Sequence, residues 1–414
     1  MTTNTPSLGY PATGITLSTK EKFHPGDFLG CVPVLTVRNS EHWLYRLSAL
    51  GINPIAIRKE TNTVSYLCTN KTGACKMMIS SPIGDTGHRA RAIQSHGAHF
   101  SELIIFCSDE KAADMAASLC EKLVTNSRPV NDFLFPITAS YGVEIYPGTR
   151  YTFVAMDDEE TVWRSWKAYA LPNPYMDPDL DIKLDHIVQN LPADVYDQCR
   201  QLFETFGMET TFYGTDKVEF ATRAFSPDKG IFDLMPFFAI NKSDTLTSQI
   251  NVGIQEHGAP FIQHLAFHVN DWCTGAACLT SVDVPVMGLS GRTDMENYYQ
   301  TCRASFEEVF PETDFERFKT LGGLYDIDCE GAEQPLGLQQ SFFNTIDSID
   351  RGSPGRLTCF FELIQRSAHA LTEDQLRSMD KLKGSCAGFG GGNFGNLAGD
   401  VKHHSVELHR TVQL

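Results

Sequence analysis

Apolar and polar positions alternate over short windows along most of the chain. Cys31–Val37, Glu102–Cys107, Tyr151–Ala155, Leu184–Val188, Ile262–Val269 and Thr358–Ile364 are short and rich in β-branched and aromatic side chains, which predicts strands. Between some of them the spacing changes to the helical period, predicting helices over Glu41–Leu50, Lys111–Leu123, Ala193–Phe206 and Glu373–Lys381. In the third, Val195, Cys199, Leu202, Phe203 and Phe206 fall on one face and Gly207 follows as the stop. Short strands mixed with helices imply an α+β fold with mainly antiparallel sheets.

The pattern also repeats coarsely. VLTVRN from Val34 resembles LDHIVQN from Leu184, and FSELIIFCSD from Phe100 resembles IQHLAFHVND from Ile262. YTFVAMD from Tyr151 sits where CFFELIQR from Cys359 sits in the second half. A stretch with three prolines and several acids, Tyr169–Asp181, reads as a linker. The expected division is therefore a first module over 25–168, a linker over 169–181 and a second module over 182–400. Aligned this way, Leu35 stands opposite His186, Glu102 opposite His264, and Val154 or Ala155 opposite Glu362. One half is then structural and the other chemical.

Composition narrows the function classes. At 414 residues the chain is long for one core. A formal net charge of −17 argues against nucleic acid and anionic membrane as partners, because either would want a basic face. The twelve cysteines are scattered without a C-x-x-C pair, so reduced, mostly buried thiols and a cytoplasmic location are expected. The Ser/Thr-rich start MTTNTPSLGYPATG lacks the layout of a signal peptide, and no apolar run is long enough to span a bilayer. A homo-oligomer is compatible with these numbers and not specified by them.

Candidate chemistry lies in three predicted strands. Period-two alternation groups Leu184, His186 and Val188 on one face, Ile262, His264, Ala266 and His268 on another, and Phe360, Glu362 and Ile364 on a third. Each face sets an ionisable group among apolar neighbours, and a buried carboxylate is costly unless paired or bound to a metal. Two imidazoles and one carboxylate suit non-haem Fe(II), with open positions opposite. His268 is the rival ligand, ranked second because it lies four residues further along the strand than His264.

These segments resemble the 4-hydroxyphenylpyruvate dioxygenase and hydroxymandelate synthase family of the vicinal-oxygen-chelate superfamily. The motifs that carry the likeness run in the family's order: LDHIVQN, SQI at Ser248–Ile250, FIQHLAF, NYY at Asn297–Tyr299, Gln340-Ser-Phe342, FFELIQR, and GFGGGNF at Gly388–Phe394. The likeness is good over 181–397, and FFELIQR followed by GFGGGNF is its most specific element. It implies two modules of paired βαβββ units, the second a curved, barrel-like sheet around the metal and the first a degenerate copy without one. It implies Fe(II) held by His186, His264 and Glu362, with an aryl 2-oxo acid and O2 as partners. By the same likeness, the 2-oxo acid would fill two iron positions and O2 the third. Decarboxylation supplies electrons, and the protein orients the substrate and excludes water.

The implied pocket residues are mostly amides and aromatics. Gln249, Gln263 and Gln340 are expected to bond the substrate or the metal-bound carboxylate. Gln263 directly precedes His264 and so points to the opposite face unless the strand is distorted. Thr222 falls near the family's usual serine. Phe342 and Phe389 are placed to sandwich an aromatic ring, and the glycines of GFGGGNF to bring Phe389 and Phe394 over the site. A phosphate-loop reading of those glycines fails because no Lys-Ser/Thr follows. The family's lid helix would here be NFGNLAGDV, weakened by two glycines.

The match fails at the family's P-x-N on a substrate-facing strand. In DLMPFFAIN, aligning Pro236 puts Phe238 in the asparagine's place, whereas aligning Asn241 keeps the amide and puts Ala239 in the proline's place. Arg303–Pro335 reads either as a surface insertion or as pocket wall. The best expectation is 4-hydroxyphenylpyruvate to homogentisate. The alternatives are benzylic hydroxylation to a mandelate and oxidation of a related 2-oxo acid in secondary metabolism. Extradiol catechol cleavage, against which FFELIQR with GFGGGNF argues, and a non-catalytic binding module rank lower.

Overall fold

The computed structural model describes residues 23, 27–130, 140–156, 165–172, 179–215, 221–226, 236–284, 286–287, 295–328, 336–344 and 359–367. In the first half, strands β1 (Phe28–Thr36), β2 (Asn53–Lys59), β3 (Thr63–Thr69), β4 (Lys76–Pro82), β5 (His99–Cys107), β6 (Arg128–Val130), β7 (Ser140–Tyr146), β8 (Thr149–Ala155) and β9 (Lys167–Ala168) alternate with helices α1 (Ser40–Ser48), α2 (His88–His96) and α3 (Glu110–Leu123). The second half carries strands β10 (Ile182–Asn190), β11 (Glu209–Thr215), β12 (Ala221–Ser226), β13 (Phe237–Lys242), β14 (Phe261–Val269), β15 (Val286–Met287), β16 (Leu324–Asp328), β17 (Leu336–Asn344) and β18 (Phe360–Arg366). Its helices are α4 (Ala193–Thr205), α5 (Gln249–His257), α6 (Trp272–Ser281), α7 (Met295–Val309) and α8 (Phe315–Thr320).

The strands expected from alternation are all present, with ends that shift by up to three residues; Thr358 lies outside the described residues. Three of the four expected helices correspond to α1, α3 and α4, and the fourth, Glu373–Lys381, lies outside the described residues, as does NFGNLAGDV. Gly207 ends α4 as expected, with φ at +76° in the left-handed region that glycine tolerates. Asp109, Ser248 and Asp271 accept from backbone N–H groups of the first turn and so start α3, α5 and α6.

Strand pairing follows one scheme in both halves. The first runs β9–β2–β3–β4–β1–β5–β8–β7–β6, and the second β11–β12–β13–β10–β14–β18–β17, where β15 and β16 both pair with β17. The pairs β1–β4, β5–β8, β10–β13 and β14–β18 are parallel and the rest antiparallel. No pairing among the described residues joins β11 to β16, so the second sheet is curved and open rather than a closed barrel. The halves meet where Phe100 pairs with Ile262, and Phe361 packs its ring against Trp43 at 5.8 Å and Phe100 at 5.6 Å. Strand β10 is also tied to the first half, because Gln189 Oε1 accepts from the hydroxyls of Tyr146 and Tyr151.

The registers correct the alignment read from the sequence. Val34 pairs with Glu102 just before a bulge, as Val188 pairs with His264. Glu102 therefore does match His264. Counting back two residues, Val32 rather than Leu35 matches His186. Across the parallel pairs Ile104–Thr152 and Ala266–Glu362, Thr152 rather than Val154 or Ala155 matches Glu362. The physical reason is that β1, β5 and β8 are buried on both faces, so their near-continuous apolar runs carry no period-two signal to fix the register.

Candidate metal centre

The ligand-bearing strands are adjacent, with β14 between β10 and β18. The register pairs His186 with Ala266, Ala266 with Glu362, and His264 with Phe360 and Val188. Cross-strand partners share a face, so His186, His264 and Glu362 project together from one side of the sheet. The alternate residues Phe361, Leu363, Leu265 and Ile187 go to the apolar core on the other side.

The three side chains converge. Nε2 of His186 lies 3.4 Å from Nε2 of His264, and Oε2 of Glu362 lies 3.3 Å from each. All three are buried, and Glu362 Oε2 has no hydrogen-bond partner. Such a triangle fits three donors sharing one ion at about 2.0–2.2 Å. Three electron-pair donors facing one another in a dry interior repel unless a cation or a proton stands among them. Among the described residues this is the cluster of ligating side chains able to hold a metal, and His268 is not part of it.

The surroundings aim each donor. His186 donates from Nδ1 to Oδ1 of Asp185 at 2.7 Å, and His264 donates from Nδ1 to Oε1 of Gln263 at 3.1 Å, leaving both Nε2 atoms turned inward. Both acceptors directly precede the histidine they serve. In a regular strand they would face away, but Asp185 and Gln263 each fall at a break in the β10–β14 register. The strand distortion that would bring Gln263 round is therefore present. Glu362 Oε1 is occupied by the amide of Gln340 at 2.7 Å, so only Oε2 is left facing the imidazoles.

Electrostatics fit this arrangement. Burial opposes charge on Glu362, but the facing imidazoles of His186 and His264 outweigh it and hold the carboxyl down to about 2. Burial likewise opposes charge on His186, yet Asp185 and Glu362 overcome it and lift the ring to about 9. His264 moves down, chiefly through burial.

An apolar wall adjoins the ligands. Phe360 stacks on the His264 ring at 4.7 Å and 17°, and Phe342, opposite Glu362 in register, meets Phe360 edge-on at 5.4 Å. Ile250 and Leu324 complete that cluster, with Tyr298 packed against it. Within Arg303–Pro335, Leu324 of β16 contributes to this wall.

No protein-family profile matches the chain. A curated 4-hydroxyphenylpyruvate dioxygenase from Hordeum vulgare is 27% identical over 241 residues, covering 55% of this chain and 50% of that protein. The chain thus spans about half the length of the curated relative it matches. A mutant of 4-hydroxymandelate synthase from Streptomyces coelicolor superposes with a TM-score of 0.64 at 20% identity, covering 92% of this chain and 99% of that one. A xylose isomerase-like TIM barrel/4-hydroxyphenylpyruvate dioxygenase fusion protein gives 0.57 at 16% identity, covering 89% and 55%. The chain is similar to 4-hydroxyphenylpyruvate dioxygenase in sequence and to hydroxymandelate synthase in fold.

The two candidates in DLMPFFAIN fall on opposite faces of β13. Asn190 pairs with Asn241 and Val188 with Ala239, so Asn241 and Ala239 share the face of His186, and Asn241 Nδ2 donates to Asn190 Oδ1 at 3.4 Å. Phe238 lies on the other face, stacked on Phe203 of α4 at 5.4 Å. Of the two residues weighed for the asparagine's place, Asn241 is therefore the one on the ligand face. Thr222 pairs with Asn241 across β12 and β13. Gln249 opens α5 and accepts from Gln263 Nε2 at 3.2 Å, which puts Gln249, Gln263 and His264 in one chain of hydrogen bonds. Phe389 and Phe394 lie outside the described residues. Sequence reasoning quoted Asp185 and Arg366 within motifs but gave them no role. A charged residue beside a candidate ligand in an apolar strand was the available signal.

Proposed function

We propose that the chain is a non-haem Fe(II) dioxygenase that oxidatively decarboxylates and hydroxylates an aryl 2-oxo acid, with 4-hydroxyphenylpyruvate to homogentisate as the leading reaction. The observation that carries this reading is the buried triangle of His186 Nε2, His264 Nε2 and Glu362 Oε2, whose carboxylate oxygen has no hydrogen-bond partner. Two imidazoles and one carboxylate on one face are the donor set of non-haem Fe(II) oxygenases. Bound there, the metal supplies Lewis acidity and redox chemistry towards O2 and the 2-oxo acid.

The residues of the chain do the rest. Gln340 holds Oε1 of Glu362, so the carboxylate presents a single oxygen. Phe342, Phe360, Ile250 and Leu324 form the dry apolar side against which an aryl ring packs and from which water is kept out. Gln249 Nε2 is buried with no hydrogen-bond partner among the described residues, and it is the donor available to a substrate oxygen. Asn241 supplies a polar group on the face of His186, and Gln263 fixes His264 rather than touching the substrate. In this reading the second module, 182–400, is catalytic, and the first, 25–168, supports it through β10.

Benzylic hydroxylation of the same substrate to 4-hydroxymandelate is the alternative, supported by the fold likeness to hydroxymandelate synthase over nearly the whole chain. The two differ in whether the ring or the benzylic carbon is hydroxylated, and only ring hydroxylation is accompanied by side-chain migration. The test is anaerobic titration of the Fe(II)-loaded protein with a series of 2-oxo acids, followed by oxygen and mass spectrometry of the product. A charge-transfer band with arylpyruvates, then homogentisate, is expected. Oxygen uptake with catechols but not with arylpyruvates would overturn the proposal in favour of ring cleavage.

A further inference from the structure

One ion pair spans the metal centre from its first ligand strand to its third. Asp185 in β10 directly precedes His186, and Arg366 in β18 lies four residues beyond Glu362. Arg366 Nη1 donates to Asp185 Oδ2 at 2.7 Å and Nη2 to Oδ1 at 2.9 Å, a two-pronged contact between side chains that are each about 10% exposed. Strand β14 runs between the two, so the pair bridges over it. Arg366 shares the face of Glu362 by period-two alternation, and the break between Leu184 and His186 brings Asp185 to the same side.

The same carboxylate serves His186. Oδ1 of Asp185 accepts from Arg366 and also from Nδ1 of His186 at 2.7 Å. A forked guanidinium holds both carboxylate oxygens in one plane, so the carboxylate cannot rotate away from the ring. The imidazole is then fixed in tautomer and direction, and a carboxylate on Nδ1–H makes the opposite nitrogen a stronger donor. His264 has no such support. Its partner is the neutral amide of Gln263 at the longer distance of 3.1 Å. The two imidazoles are therefore inequivalent.

We infer that Asp185, locked by Arg366, is a positioning residue that makes His186 the dominant imidazole donor and sets the spacing of the two outer ligand strands. The inference rests on the metal-centre reading above. Its chemistry is local: no bond forms or breaks at Asp185 or Arg366, and neither touches the substrate.

The test is anaerobic Fe(II) titration of the full chain, together with the visible spectrum of the Co(II)-loaded form. The variants are Asp185→Asn, the charge-free pair Asp185→Asn with Arg366→Gln, Arg366→Lys, and Gln263→Leu. Both variants that lack the carboxylate are expected to bind Fe(II) about 10–100-fold more weakly than wild type and to shift the Co(II) bands, with Gln263→Leu losing less. Arg366→Lys keeps the charge without the fork and should fall between. A double variant that unfolds like apo wild type, binds Fe(II) within about threefold of it and leaves the Co(II) bands unmoved would overturn the inference. If neither Asp185 variant folds, Arg366→Lys carries the test, and wild-type affinity with an unmoved spectrum overturns it. A wild type that binds no Fe(II) brings down the metal-centre reading and this inference with it, whereas a wild type that binds as well as its variants brings down this inference alone.

Discussion

Glu102 in β5 and His264 in β14 occupy one register position in two sheets built on the same pairing scheme: each stands opposite a valine, Val34 or Val188, at the edge of a bulge. In the second sheet that position belongs to the triangle of His186, His264 and Glu362. In the first, Glu102 faces Thr152, whose hydroxyl donates to Oε1 at 2.5 Å, and Arg89 of α2, whose Nη2 donates to Oε2 at 2.5 Å. Arg89 also donates to Ser101, the bulged residue that corresponds to Gln263. A built-in guanidinium thus does for the first half what a metal ion would do for the second.

That reading predicts a large, asymmetric stability effect. Arg89 and Glu102 are both nearly fully buried, so Arg89→Met leaves a carboxylate in the interior without its cation. A loss of about 3–5 kcal/mol is expected, whereas Arg89→Met with Glu102→Met should recover most of it. Chemical denaturation of the apo forms measures both. A single variant as stable as wild type would mean that the pair is not what neutralises Glu102.

Removing the third ligand should abolish metal linkage. Glu362→Gln keeps the shape and the contact region of Gln340 but withdraws the anionic oxygen from between the imidazoles. Wild type with Fe(II) at a hundred times its Kd should gain about 2.7 kcal/mol of stability, and the variant should gain none. Thermal unfolding with and without Fe(II) reads the difference, and catalysis should be lost in the same variant.

The substrate side is tested by separating two neighbours in β13. Phe238 is stacked on Phe203 in the core, so Phe238→Ala should cost about 3–5 kcal/mol in stability and leave metal stoichiometry at wild type. Asn241 shares the face of His186, so Asn241→Ala should act on KM for the 2-oxo acid, at a stability cost of about 1–3 kcal/mol from the buried Asn190 it deserts. Steady-state kinetics beside denaturation curves check the split. A KM change in the phenylalanine variant with none in the asparagine variant would reverse the assignment of faces.

The contrast between these residues and the rest shows what the sequence made legible. His186, His264 and Glu362 were readable because each is an ionisable group inside an otherwise apolar alternation, a costly placement that needs a reason. The strand positions of Leu35 and Val154 were not, because strands buried on both faces give no alternation to count. Gln263 was misdirected by the same rule of alternation, since a bulge is a matter of two strands and leaves no mark in either alone. The choice between Phe238 and Asn241 also needed the partner strand: only pairing with β10 says which face each takes.

The last expectation concerns pH. His99 begins β5 at the junction of the halves, wholly buried, 5.5 Å ring-to-ring from both His96 and His257, which stack on each other at 4.6 Å, and with the Gly97 carbonyl 2.8 Å from Nδ1. Burial, reinforced by His96 and Arg89, pushes it from 6.5 to about 4. The native state therefore keeps this ring neutral where the unfolded chain would protonate it. Below pH 6.5 the unfolded state binds the extra proton first, so stability falls as pH drops from 6.5 towards 4 and levels once the native ring also titrates. The contribution of His99 over that window is up to about 3 kcal/mol. His268, also driven to about 4 chiefly by burial, adds a fall of the same sign, so the decisive quantity is a difference between proteins. The stability of wild type minus that of His99→Gln, measured by denaturant titration at several pH values, should shrink as pH falls through the window. Parallel curves would assign the acid sensitivity to other groups.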